Sequence, residues 1–124
     1  MRALLDTNIV IWWFADSPRL PEKYAAIITN PSNQIFISSI SAAELAVKSA
    51  IGRLAPLPTS LASAIAESGA AELPFSATHA DALSELPLHH RDPFDRMLIA
   101  QAIAEDLTLL ATNRAFSDYP VKLA

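Results

Sequence analysis

Short, nearly unbroken apolar runs, each set between segments of helical period, constrain this chain more than any other feature. Ala3-Leu4-Leu5, Gln34-Ile35-Phe36-Ile37 and Leu107-Thr108-Leu109-Leu110-Ala111 are such runs. A strand with one wet face alternates apolar and polar residues, whereas a strand apolar at consecutive positions is covered on both faces. Helical spacing follows in Ile9 to Phe14, Glu22 to Thr29, Ala42 to Ile51, Ser60 to Glu67, Ser76 to Glu85 and the segment opened by Asp92-Pro93. Strands joined through helices need crossover connections, so the sheet they build is mostly parallel. The expected fold is α/β: three layers, α/β/α, around a short, mostly parallel central sheet. Glu72-Leu73 predicts a weak further strand and Val121-Lys122-Leu123 an edge strand. Asn30 to Asn33, Ala55-Pro56-Leu57-Pro58 and Pro87 to Arg91 predict loops.

At 124 residues, of which 52% are hydrophobic, the chain predicts one domain, 1–124, with a substantial core. Its apolar start, Met1 to Phe14, is split by Asp6, and the longest uncharged run there is about half a bilayer span, so no membrane segment is expected. There is no cysteine, which excludes disulfides, thiolate nucleophiles and sulfur-ligated zinc, and favours a cytosolic setting. The net charge of -4 offers no global positive field for a polyanion, so a nucleic-acid partner must be met by a local patch or through cations.

In an open parallel sheet, function gathers at the carboxyl ends of the strands. Asp6 directly follows the first strand, Glu44 lies early in the helix after the second, and Asn113 and Asp118 follow the Leu107 strand. Asp92 and Asp95 open the helix before that strand, and the Pro87–Arg91 loop can bring them to the same edge. Capping explains some of these residues at once. Asp92 suits an N-cap with Pro93 at the first helical position, Ser41-x-x-Glu44 matches a capping box, and Asp6 can cap its own helix. Yet Asp6, Glu44 and Asp95 share one edge, and crowded carboxylates repel unless a cation lies between them. Hard oxygen donors without sulfur point to Mg²⁺ or Mn²⁺, and to metal-assisted hydrolysis. Asp16, Asp81, Glu85, Glu105, Asp106 and Asp118 read as solvated charges, and His89 and His90 as hydrogen-bonding loop residues.

Three stretches, Leu5-Asp6-Thr7-Asn8, Ser41-Ala42-Ala43-Glu44 and His90-Arg91-Asp92-Pro93-Phe94-Asp95-Arg96 with Leu98 to Ala102, together resemble the PIN-domain ribonucleases, in particular the VapC-like toxins of toxin–antitoxin modules. The resemblance spans essentially the whole chain. It implies RNA as substrate, Asp6, Glu44 and Asp95 as catalytic metal ligands, and supporting places for Asp92 and Thr7. It also implies a cognate antitoxin and a toxin homodimer. Where the family often carries a fourth acid this chain reads Ala111-Thr112-Asn113, so Asn113 would be a weaker, uncharged ligand, with Asp118 a possible substitute.

Arg96, Lys48, Arg91, Arg114 and Arg53 are the basic residues near the expected edge, suited to RNA phosphates or to acidic groups of an antitoxin. Trp12, Trp13 and Phe14 are candidates for an apolar contact, with burial in the core as the alternative. Two other functions remain open. A PIN-like binding module without catalysis is motivated by Asn113. A phosphorelay receiver shares the length and the acids, but needs a mid-chain aspartate, and no Asp lies between Asp16 and Asp81.

Overall fold

The computed structural model describes residues 1–53 and 60–124; the loop expected at Ala55 to Pro58 lies outside them. In chain order the elements are β1 (Arg2–Leu5), α1 (Thr7–Phe14), α2 (Glu22–Thr29), β2 (Gln34–Ser38) and α3 (Ser39–Ala50). From residue 60 onward come α4 (Leu61–Ser68), β3 (Ala71–Leu73), α5 (Ala77–Glu85), α6 (Pro93–Ala104) and β4 (Thr108–Leu110). A 3-10 turn, Arg114–Asp118, then leads to β5 (Lys122–Leu123). The strands form one sheet in the order β3-β2-β1-β4-β5, and every pairing is parallel.

Consecutive residues of the central strands feed opposite layers, as doubly covered strands must. Ala3 and Leu5 of β1, Ile35 and Ile37 of β2 and Leu110 of β4 pack with Ile9, Val10, Tyr24, Ile28 and Ile65 from α1, α2 and α4. Leu4, Phe36 and Leu109 point the other way, onto Leu98, Ile99 and Ala102 of α6 and onto Phe116 and Tyr119. Each fully buried aliphatic side chain of this kind contributes about 1.5–3 kcal/mol of transfer free energy. The three-layer α/β/α arrangement expected from the sequence is the one observed. No helix among the described residues is long and apolar enough to cross a membrane.

Neither tryptophan of α1 is fully in the core: Trp12 and Trp13 pack partly buried against it, while Phe14 is exposed. A sharper difference concerns α3, which starts at Ser39 rather than Ala42. Its N-cap is Ser38, whose hydroxyl accepts from the Ile40 N–H. Glu44 therefore sits in the second turn, and the capping box expected from Ser41-x-x-Glu44 does not form. Ser41 is fully buried and turns its hydroxyl to Thr7 instead.

The chain order puts a topological switch at β1 and β4: from β1 the strands run outward through β2 to β3, then return on the other side through β4 to β5. A crevice opens at the carboxyl ends of such neighbours. Asp6 stands there, its N–H bonded to the Leu110 carbonyl at 3.0 Å. Because helices between parallel strands run back antiparallel to them, α1, α3 and α6 all begin at this edge, and α3 packs against both α1 and α6.

Candidate metal centre at the carboxyl edge

Asp6 occupies the N-cap position of α1 in extended backbone conformation, yet its side chain makes no capping hydrogen bond. Its carboxyl group is 4% exposed and free of the duty that would explain it as a helix start. Burial, reinforced by the charges of Asp95 and Glu44, raises its pKa from 3.8 to about 7, against the opposing pull of the Thr7 N–H and Lys48. A carboxylate held among other carboxylates in a desolvated crevice is an arrangement that a cation would relieve.

Glu44 comes from α3 and is almost as buried. Thr7 donates to its Oε1 at 2.7 Å and lies 3.0 Å from the Ser41 hydroxyl, so a chain of two hydroxyls from two helices ends on this carboxylate. Its other oxygen, Oε2, meets Lys48 Nζ at 2.6 Å, one helical turn along. Hydrogen bonding to Glu44 is the largest cause of the raised Lys48 pKa, and the charges of Asp92 and Asp95 add to it.

Asp92 and Asp95 divide the labour at the start of α6. Asp92 Oδ1 accepts from the Phe94 and Asp95 N–H groups at 2.9 and 3.1 Å, with Pro93 in the first turn, so the capping reading holds for Asp92. Asp95 is left to face the crevice. Its Oδ2 bonds His90 Nε2 at 2.9 Å, and its pKa is raised by burial and by Asp92 and Glu44, with the His90 bond opposing. His90, expected only as a loop hydrogen-bonder, thus orients one of the acids. Its own N–H is tied to Tyr119 Oη at 2.9 Å.

Asn113 caps the 3-10 turn, its Oδ1 accepting from the Ala115 N–H at 3.0 Å, so that oxygen already has a partner. Asp118 is exposed at the far end of that turn. Arg96 is likewise engaged: its guanidinium donates to the Pro87 carbonyl at 2.9 Å and to Tyr119 Oη at 3.2 Å, bracing the His90 loop. Arg91, Arg114 and Arg53 are exposed.

Sequence reasoning passed over two buried polar residues, Gln101 and His79. Gln101, fully buried on α6, accepts from Ser38 Oγ and donates to the Leu73 carbonyl at 3.3 Å. It thereby ties the start of α3 to α6. The available signal was a glutamine at a helix position flanked by apolar core residues. Glu105 also departs from the solvated reading, since it bonds the buried His79 at 2.9 Å.

The donor set of Asp6, Glu44 and Asp95 consists of hard carboxylate oxygens, which fits Mg²⁺ or Mn²⁺. Among the described residues no three carboxylate or imidazole groups converge closely enough to enclose an ion by themselves.

The PIN domain family model matches residues 3–122, and the chain belongs to that family. Its solved structural neighbours include a toxin–antitoxin complex from Klebsiella pneumoniae. The VapBC2 complex of Rickettsia felis, bound to a DNA fragment from its promoter, shares 25% identity over 100% of this chain and 98% of that one, with a TM-score of 0.71. DNA-bound VapBC from Salmonella typhimurium matches in fold at 22% identity, 100% and 97% coverage and a TM-score of 0.67. FitAcB from Neisseria gonorrhoeae does so at 20%, 98%, 95% and 0.65. A comparison with curated proteins gives no match.

Proposed function

We propose that this PIN domain is a divalent-metal-dependent endoribonuclease, the toxin of a toxin–antitoxin module, acting in the cytoplasm. The observation that carries the reading is Asp6: a buried, uncapped carboxylate at the switch point of the sheet, its pKa raised to about 7 partly by Asp95 and Glu44. Mg²⁺ or Mn²⁺ bound there would activate a water and offset charge developing on a phosphodiester. The chain's own residues supply the rest. Asp6, Glu44 and Asp95 offer the ligand oxygens, Thr7, itself bonded to Ser41, holds Glu44, His90 holds Asp95, and Asp92 fixes the helix that presents it. Exposed Arg91 and Arg114 are available to RNA phosphates or to an antitoxin's acidic groups. An antitoxin partner and a homodimer find support in exposed apolar side chains, Phe14 on α1, Val47 on α3 and Ile51 just past its end.

The test is RNA cleavage by protein purified away from its antitoxin, with Mn²⁺ supplied. Wild type should cut, and Asp95→Asn should not, while its far-UV circular dichroism stays that of wild type. Folded wild-type protein that cuts no cellular RNA would instead establish a binding module, the second reading, which the neutral Asn113 favours.

A further inference from the structure

Among the described residues Lys48 is the only lysine or arginine ion-paired with a carboxylate of the crevice. An exposed i,i+4 pair has both ends in water and is worth a few tenths of a kcal/mol. Here the lysine is half-exposed and the glutamate is not: Glu44 is 4% exposed, one of its oxygens is held by Thr7, and the ammonium takes the other. Removing a partner from a buried charge is far costlier than breaking a wet pair. Asn113, after β4, brings no charge, and its oxygen is committed to the Ala115 N–H. Four carboxylates (Asp6, Glu44, Asp92 and Asp95) against one ammonium leave a formal charge of -3. One divalent ion brings that to -1, and a second would invert it.

We propose that Lys48 stands in place of a second divalent ion, so that the centre takes one Mg²⁺ or Mn²⁺ beside one protein ammonium anchored on Glu44. This rests on the reading of the carboxyl edge as a metal centre. The ammonium supplies, as a point charge with three donors, the positive charge a second ion would otherwise bring.

The experiment counts ions directly, by calorimetric titration of antitoxin-free protein with Mn²⁺ and by electron paramagnetic resonance of the loaded sample. Wild type and Lys48→Arg should take one Mn²⁺ per chain, with the spectrum of an isolated ion. Lys48→Ala should take two and show spin coupling between them. Affinity for the second ion should be at least about tenfold above any second binding in wild type, since a unit charge acts within a few ångströms of the site. Lys48→Gln, which keeps a donor for Glu44 without the charge, should behave like the alanine variant and guards against a folding defect. Two ions in wild type, or one ion in both neutral variants, would overturn the proposal while leaving the metal centre standing. No ion in wild type would overturn the metal centre and this proposal with it.

Discussion

The two sides of the crevice hold their acids in different ways. On the side built by α1 and α3, Asp6, Thr7, Ser41 and Glu44 are all buried, and Glu44 is gripped by the Thr7 hydroxyl and the Lys48 ammonium while Asp6 has no side-chain cap. On the side built by α6 and its preceding loop, Asp92 and Asp95 are only half-buried, and each has an ordinary structural partner: backbone N–H groups for Asp92, an imidazole for Asp95. The first side stores an electrostatic cost in the folded state; the second is mostly a well-made helix start. The difference shows that sharing an edge does not give carboxylates a shared role. What separates Asp6 from Asp92 is whether the side chain caps the helix it opens.

The largest effect should come from Asp6→Asn, which attacks the costly side. RNA cleavage should fall by at least about a hundredfold, as expected when a residue that positions charge at the reacting centre is neutralised. Stability should move the opposite way. With the carboxyl raised from 3.8 to about 7, the folded state binds more protons than the unfolded state between those values. Asp6 therefore favours folding fully below about pH 4, and that contribution is lost as pH rises through about 7, on the order of 4 kcal/mol in all. Raised Asp95 acts in the same direction. Denaturant titrations of metal-free protein should show wild type losing stability from pH 5 to pH 8, and Asp6→Asn losing much less. Identical pH profiles would place the cost elsewhere and break the contrast between the two sides.

A smaller effect should follow from Thr7→Val, a change of nearly equal shape that leaves Glu44 Oε1 without its donor and Ser41 without its partner. Unpaired buried groups cost about 1–3 kcal/mol, so thermal unfolding should report a loss in that range, together with weaker Mn²⁺ binding. An unchanged melting temperature would show that the hydroxyl network is ornamental. Smallest of all, Asp92→Ala should remove a cap worth about 1 kcal/mol, whereas Asp92→Asn should restore it, because either side chain can accept from the Phe94 and Asp95 N–H groups. A loss in Asp92→Asn as large as in Asp92→Ala would mean that the charge of Asp92, not its cap, is what matters.

Much of this was legible in the chain itself. The apolar runs announced doubly covered strands, α2 spans the segment its periodicity marked, and Asp92-Pro93 started α6 as its residue types require. The start of α3 was not legible, because Ser38, Ser39 and Ser41 are all competent caps and only the length of β2 chooses among them. That choice moved Glu44 from the first turn to the second and freed it from the capping box. Partners brought together by tertiary packing were equally hidden: Gln101 meets Ser38 from 63 residues away, and His79 meets Glu105 from 26. Spacing along a helix predicts neighbours on that helix and nothing across the core.

The bond from the Asp6 N–H to the Leu110 carbonyl has a consequence for the timing of synthesis. β1 lies near the start of the chain and its partner β4 near the end, with Leu5 in register with Leu110. During synthesis Asp6 and Glu44 precede β4 by more than sixty residues and Asp95 by only thirteen, so the strand that holds Asp6 at the switch point comes after all three acids. The closing contact joins residues about a hundred positions apart, and contacts of that span form late because the intervening loop must be closed first. Asp6 is therefore set at the switch point only once β4 has joined the sheet.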